Sequence, residues 1–166
     1  MEKQRVAKID TKTEGLDLYV YVAKTFADSP WLHYGLWEPG ERPNIPQLRM
    51  AQERYVDKLL ALIPPAPGRL LEDFSGEGPF DVCMFSESFQ YVDLETSLAK
   101  LKHILAPNGR VIIADCFRSD AYQGDRQPGG GHRYSEFAVA VERAGFVIVE
   151  NEDVTLAAAQ TMAIDQ

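Results

Sequence analysis

The chain has 166 residues, of which 45% are hydrophobic and 25% charged, and its formal net charge is −8. This length and composition fit one globular domain with a sizeable buried core. The negative charge argues against a nucleic-acid partner, because phosphate contacts are made by clusters of Lys and Arg, and no apolar run approaches the ~20 residues that a membrane span requires.

The first part of the chain is predicted to be helical. A helix is expected from Glu14 to about Phe26, after a polar N-terminus that carries no apolar signal core. A second helix is expected from about Pro46 to Ile63, where apolar residues recur at helical spacing. The Pro-rich stretch from Pro64 to Gly68 ends it, because proline cannot continue a helix.

Between these helices lies a segment dense in aromatic residues, which runs from Trp31 to Trp37 and includes His33 and Tyr34. Two interpretations are open. The segment is either a lid that closes over a bound ligand or a staple that packs the N-terminal helices together. One segment can also do both.

The centre of the chain predicts buried parallel strands. Arg69 to Glu72 reads as a short strand, and Asp81 to Ser86 is a nearly unbroken apolar run, typical of a strand that is buried on both faces. Val111 to Ala114 is the next strand. Asp93 is predicted to cap the helix between the last two. The apolar stripe of that helix consists of Leu94, Leu98, Leu101 and Leu105.

The turn Pro107-Asn108-Gly109 is predicted to lead from this helix into the last strand. Cys83 and Cys116 are both expected in buried strands. Two buried thiols in a chain without an export signal predict a cytoplasmic protein without a disulfide.

The strand ends supply the first functional candidates. Ligands of open α/β sheets bind just beyond the carboxyl ends of the strands. The polar or reactive residues at these two ends are Ser86, Glu87, Ser88, Asp115 and Cys116.

The last third of the chain predicts a loop, a helix, a strand and a final helix. The loop runs from Phe117 to Arg133 and contains three consecutive glycines, which fit either a substrate loop or a plain connector. A helix is expected from Glu136 to Ala144, capped by Ser135 and ended by Gly145. The predicted strand is Phe146 to Val149, and the predicted final helix is Thr155 to Gln166.

Four of these segments, taken in order, carry a resemblance to a known family. They are Gly-Arg-Leu-Leu-Glu at 68–72, Ser-Glu-Ser-Phe-Gln-Tyr at 86–91, Leu-Ala-Pro-Asn-Gly-Arg at 105–110 and Ala-Gly-Phe at 144–146. The chain resembles the class I S-adenosylmethionine-dependent methyltransferases that act on small molecules. The resemblance implies S-adenosyl-L-methionine as cofactor and methyl transfer to a small-molecule substrate.

The resemblance also implies the architecture. It predicts an α/β fold, a Rossmann-like three-layer sandwich with a mostly parallel sheet that is reduced relative to the full methyltransferase fold. The whole chain, 1–166, would form a single methyltransferase-like domain. Residues 1–67 would be its N-terminal helical lid or cap, and residues 68–166 its α/β core.

Methyl transfer needs alignment, exclusion of water and sometimes a base that takes a proton from the nucleophile. The candidate catalytic residues are His33, Glu87, Asp115 and His132. Each also has a structural interpretation, as a packed ring, a solvated ring or a cap of backbone N–H groups. The candidate cofactor-binding residues that the resemblance implies are Tyr34, Glu72, Gly76, Gly78, Ser86 and Gln90. No metal is expected.

The cofactor-binding half of the family is largely missing. The stretch from Glu72 to Gly78 matches the family's acidic-glycine pattern at Glu72, Gly76 and Gly78, but Phe74 replaces the first glycine. A strand begins directly afterwards, so no helix follows for the glycines to open. About two βαβ units, of roughly 30 residues each, are absent.

This gap leaves the connection after the first strand open. Residues 73–79 are too few for the usual crossover between parallel neighbours. Three arrangements are possible. The first strand pairs as an antiparallel hairpin, a second chain fills the gap, or the chain joins pieces of a longer protein. We therefore expect a homo-oligomer and keep a second function open, a non-catalytic, dimerising or ligand-binding methyltransferase-like module that has lost cofactor binding.

Overall fold

The structure, a computed structural model, describes residues 28–72, 76–124 and 131–164. The described residues form two compact units. Lys58–Glu152 is one, and the described parts of Met1–Asp57 and Asp153–Gln166 form the other. The predicted helix from Glu14 to Phe26 lies outside the described residues, and the division of the chain at residue 67 remains a prediction. None of the described helices combines the length and the apolar character needed to cross a membrane.

A parallel sheet of three strands lies within the Lys58–Glu152 unit, counting the described residues. The strands, in their order across the sheet, are β1 (Leu70–Glu72), β2 (Phe80–Ser86) and β3 (Leu105–Ala114). Both pairs are parallel, and Cys83 of β2 lies opposite Leu71 on one side and Val111 on the other. The predicted parallel α/β fold is confirmed, and the antiparallel hairpin considered for the first strand is wrong.

The sequence explains why β2 is the central strand. Val82, Cys83 and Phe85 are each at most 1% exposed, so side chains on both faces of this strand are buried. Asp81, near its start, accepts the backbone N–H of Arg69 through Oδ2 at 2.7 Å. This hydrogen bond attaches the residue before β1 to β2 and fixes the register of the short strand.

The helix between β2 and β3 is α2 (Leu94–Ile104), and it begins where the sequence predicts. The carboxylate of Asp93 accepts the N–H of Thr96 at 2.9 Å, which confirms the predicted cap. Leu98 and Leu101 are buried, and burying a leucine side chain contributes about 1.5–3 kcal/mol. Leu105, the fourth member of the predicted stripe, is instead the first residue of β3.

A second helix, α3 (Tyr134–Arg143), packs on the same core. The predicted cap by Ser135 is wrong, because Arg133 occupies the capping position and the Ser135 hydroxyl donates to the Asp120 carboxylate. Gly145 follows the helix with a φ of +81°, as expected for its end. The buried residues of this core are Leu71, Phe80, Cys83, Phe85, Phe89, Leu98, Leu101, Ile104, Phe137, Ala140 and Val141.

The predicted turn before the last strand is present as a bulge within β3. Phe80 lies opposite Leu105, and Val82 lies opposite Arg110. One residue separates these positions on β2, whereas residues 106–109 separate them on β3. Asn108 has a φ of +65°, a conformation that asparagine tolerates better than most residues. Beyond the bulge, the pairing of β2 with β3 is regular up to Ser86 and Ala114.

Two other strand predictions are wrong. Phe146–Val149 forms neither helix nor strand, and no described strand pairs with it. An apolar alternating segment becomes a strand only where a neighbour supplies its hydrogen bonds. Cys116 is exposed because β3 ends two residues earlier, whereas Cys83 is buried as predicted, and both thiols are free.

The other unit contains the aromatic segment and the N-terminal part of the long helix α1 (Ile45–Ala61), close to its predicted bounds. The hydroxyl of Ser29 donates to Oε1 of Gln52 at 2.6 Å, and Nε2 of Gln52 donates to the carbonyl oxygen of His33 at 2.7 Å. These buried bonds hold the aromatic segment on the helix. They attach the segment to one of the two helices that a staple would join, and the other helix lies outside the described residues. Closure over a ligand remains a prediction.

The end of the described chain belongs to this same unit. The predicted final helix is divided into α4 (Thr155–Ala159) and a 3₁₀ turn (Gln160–Ala163). The hydroxyl of Thr161 accepts the indole N–H of Trp37 at 2.9 Å and the backbone N–H of Gly35 at 3.0 Å. The C-terminal segment is thereby bonded to the aromatic segment across more than 120 positions of sequence, 126 for Gly35 and 124 for Trp37.

Candidate functional site at the carboxyl edge of the sheet

The carboxyl ends of β2 and β3 lie side by side, because the strands are parallel and paired to their last residues. Glu87 follows β2 with a φ of +53°, and its N–H donates to the carbonyl oxygen of Ala114 at 2.8 Å. A positive φ is uncommon for a residue with a β-carbon, and this hydrogen bond stabilises it. The chain after β2 therefore stays beside the end of β3.

Asp115 organises this edge. Its Oδ2 accepts the N–H of Gln90 at 2.9 Å, and its Oδ1 accepts the N–H of Cys116 at 2.7 Å. These bonds fix the 3₁₀ turn Phe89–Tyr91 beside the end of β3. Burial raises the pKa of Asp115, and the backbone N–H groups that it binds oppose that rise. A carboxylate of this kind accepts a proton more readily than a solvated one, which makes it a candidate base.

His132 is buried next to the same turn. Its Nε2 lies 3.2 Å from the carbonyl oxygen of Phe89, and its ring meets the Phe89 ring edge-on at 6.0 Å between centroids. Because a carbonyl oxygen can only accept, Nε2 carries a hydrogen in this arrangement. Burial has the largest effect on the pKa of Asp115 and raises it, whereas a protonated His132 ring would lower it.

Two further predicted residues lie at this edge. Gln90 is buried, and its Nε2 donates to the carbonyl oxygen of Glu87 at 3.3 Å. Ser86 is the half-buried last residue of β2. The structure therefore brings together the carboxylate, the imidazole, the amide and the hydroxyl that the sequence singled out. Glu72 ends β1 and is exposed.

The two candidate glycines lie before β2, at the amino end of the sheet. A β-carbon at Gly78 would lie 2.7 Å from Cα of Ile104, and one at Gly76 would lie 2.5 Å from the ring of Phe80. Both positions therefore need glycine for close packing at the start of the strand. The structure does not bring these glycines to the edge that carries Asp115.

Cys116 extends from this edge and is not a reactive thiolate. The residue as a whole is exposed, but neighbouring atoms partly bury its sulfur, and this raises the pKa of Cys116. The negative charges of Glu87 and Asp115 raise that pKa further. A thiol with a raised pKa stays protonated at neutral pH and is a weak nucleophile and metal ligand. No group of three or more His, Cys, Asp or Glu side chains within the described ranges could hold a metal ion.

His33 and Tyr34 lie in the other unit. Nδ1 of His33 lies 2.8 Å from the carbonyl oxygen of Tyr34, and the His33 ring stacks on Tyr55 at 4.4 Å between centroids. Burial lowers the pKa of His33, so the ring is neutral at pH 7. These contacts are structural, and a role for either residue in catalysis or cofactor binding remains a prediction.

Two residues of the site were not singled out from the sequence. Phe89 is fully buried, and its ring packs against Phe85 at 5.2 Å while its carbonyl oxygen faces His132. Gly131, the last of the three glycines, has a φ of +70°, and a β-carbon there would collide with the carbonyl oxygen of Cys116. In the sequence, Phe89 stands out only as an aromatic residue in a polar loop. Gly131 stands out only as the end of a glycine run directly before His132.

Together, these observations define an α/β protein with a methyltransferase-like fold and a polar cluster at the carboxyl edge of a small parallel sheet. Among solved structures, the chain is similar to the [4+2]-cyclase SpnF, with a TM-score of 0.67 and 17% identity over 91% of this chain and 77% of that chain. At this level of identity, the likeness shows the fold alone. No family model matches the chain, and neither does any curated protein sequence.

Proposed function

We propose that this chain is a methyltransferase-like module that binds a small molecule at the carboxyl edge of its sheet and has lost the S-adenosyl-L-methionine site. The observation that carries this proposal is the connection between β1 and β2. It has seven residues, 73–79, and its described glycines pack at the amino end of the sheet. A cofactor cradle of the family's type needs glycines at the carboxyl edge that open a helix.

The proposed ligand follows from the chemistry of the edge. The negative charges of Glu87 and Asp115 both act on the thiol of Cys116, so the two carboxylates lie near one another. Gln90 belongs to the turn that Asp115 holds, and His132 contacts the same turn. Carboxylates accept hydrogen bonds and attract positive charge. We therefore expect a neutral or cationic molecule that presents hydroxyl or amine donors. The net charge of −8 also disfavours an anionic ligand.

S-adenosyl-L-methionine-dependent methyl transfer is the second candidate. It is favoured by the half-buried Asp115, whose raised pKa suits a base that takes a proton from the methyl acceptor. In this case Glu87 and His132 would assist, while Glu72, Ser86 and Gln90 would bind the cofactor. The roles of His33 and Tyr34, which lie in the other unit, stay predictions. The fold does not require this chemistry, because SpnF, which is similar in fold, is a cyclase.

Calorimetric titration distinguishes the two candidates. The purified protein is titrated with S-adenosyl-L-methionine and with S-adenosylhomocysteine, and the first candidate predicts no heat of binding at millimolar ligand. If the wild-type protein shows heat of binding at micromolar affinity and the Glu72→Ala variant shows none, the first candidate is overturned in favour of the enzyme. A thermal-shift panel of hydroxylated and amine compounds tests the edge itself. A hit that stabilises the protein and is lost in Asp115→Ala supports the module, and a panel without such a hit contradicts it.

A further inference from the structure

The segment of residues 146–150, here called the open segment, has the pattern of a strand without a partner. The exposed fraction of its side chains alternates, with 82% at Val147, 41% at Ile148 and 85% at Val149. A two-residue period is that of extended chain. No backbone hydrogen bond found among the described residues involves these three. Apolar side chains and unpaired backbone groups are therefore presented together, as on the edge of a sheet.

We propose that two copies of this chain pair through the open segment as antiparallel strands, with a two-fold axis at Ile148. A two-fold interface must be complementary to itself. Pairing about Ile148 sets Ile148 against its own copy and Val147 against the partner's Val149. The sequence around Ile148 is symmetric in this respect, because a valine lies on each side. Every exposed apolar side chain of the segment then meets another apolar side chain.

The charges at the two ends of the open segment favour the antiparallel direction. Lys102 lies at its start, where Nζ donates to the carbonyl oxygen of Ala144 at 2.8 Å. Glu150 is exposed at its other end. Antiparallel pairing brings the acidic end of each copy to the basic start of the other, whereas parallel pairing would set Glu150 against Glu150. Opposite charges across a strand pair stabilise it, and like charges destabilise it.

The pairing also removes a hazard. An exposed apolar edge with unpaired N–H and C=O groups is a template for uncontrolled association. A pair of five-residue strands buries far less than the roughly 1,200–2,000 Å² of a standard interface. We therefore expect a weak, concentration-dependent dimer rather than an obligate one.

Cysteine cross-linking tests the register. In a Cys116→Ser background, Ile148→Cys is expected to form a disulfide dimer under mild oxidation. Val147→Cys alone and Val149→Cys alone are expected to cross-link poorly, because diagonal pairs stand about 7–8 Å apart, beyond disulfide reach. In an equimolar mixture, the Val147→Cys and Val149→Cys variants should cross-link with one another, because the proposed register sets these two positions opposite each other. Strong self-cross-linking of both single variants would show parallel pairing and overturn the proposal.

Analytical ultracentrifugation of the uncross-linked protein tests the affinity. Val147→Lys with Val149→Lys should weaken dimerisation by roughly tenfold or more, because it removes two valine pairs per dimer and opposes like charges. Val139→Lys is the matched control, an exposed apolar residue of α3 outside the open segment, with 54% exposure. A wild-type protein that stays monomeric at millimolar concentration, or equal weakening by the control, contradicts the proposal.

Discussion

Gly78→Ala tests whether the glycines after β1 serve packing or ligand binding. A β-carbon at this position would lie 2.7 Å from Cα and 2.8 Å from the carbonyl carbon of Ile104. Both are backbone atoms at the end of α2, so they cannot yield as a side chain would. Extra atoms forced into a close-packed region cost typically about 1–3 kcal/mol. In a protein of this size, each kcal/mol lowers the melting temperature by about 2–4 °C.

The assay is urea and thermal unfolding followed by far-ultraviolet circular dichroism at low protein concentration. Gly76→Ala is the matched comparison, because its β-carbon would meet the side chains of Phe80 and Leu71, which can partly move. We expect the loss of stability to be larger for Gly78→Ala than for Gly76→Ala. If Gly78→Ala is as stable as the wild type, close packing does not explain this glycine, and a ligand-binding role for it becomes the better explanation.

Two further predictions concern one hydrogen bond cluster and one carboxylate. Thr161→Val leaves the indole N–H of Trp37 and the N–H of Gly35 without their acceptor, so tryptophan-monitored unfolding should show a loss of about 1–3 kcal/mol. Thr161→Ser keeps the hydroxyl and should recover most of it; equal losses in both variants would contradict this reasoning. Because burial raises the pKa of Asp115 above 3.8 in the folded state, the folded protein binds more protons than the unfolded chain between the two pKa values. Asp115 therefore contributes stability that is lost as pH rises above 3.8, and Asp115→Asn should reduce this loss in a urea-unfolding series that runs from acid to neutral pH. An unchanged pH dependence would refute the assignment.

The polar cluster at the carboxyl edge illustrates how far sequence reasoning reaches. Asp115 and Glu87 were predictable as residues that follow buried strands, because every parallel strand places its carboxyl end at one edge. The bond between Asp115 and the N–H of Gln90 was not predictable, because it depends on how the 3₁₀ turn folds back. His132 follows a long loop, and nothing local indicates that its ring lies beside Phe89.

The glycine match illustrates the opposite case. Gly76 and Gly78 have the spacing of a binding motif, yet the spacing says nothing about the edge of the sheet to which the chain carries them. A seven-residue link must return to the start of β2, so its last residues lie at the amino end. Here the three-dimensional path, rather than the residue types, decides what the glycines contact.

Elements whose stabilising contacts are local or follow from composition could be predicted from the order of residues alone. These are the buried run of β2, the Asp93 cap of α2, its leucines up to Leu101, and the parallel direction that a strand, helix and strand impose. Features that depend on distant partners could be seen only in the folded chain. Phe146–Val149 has the pattern of a strand but no described neighbour, since a strand needs hydrogen bonds that its own residues cannot supply.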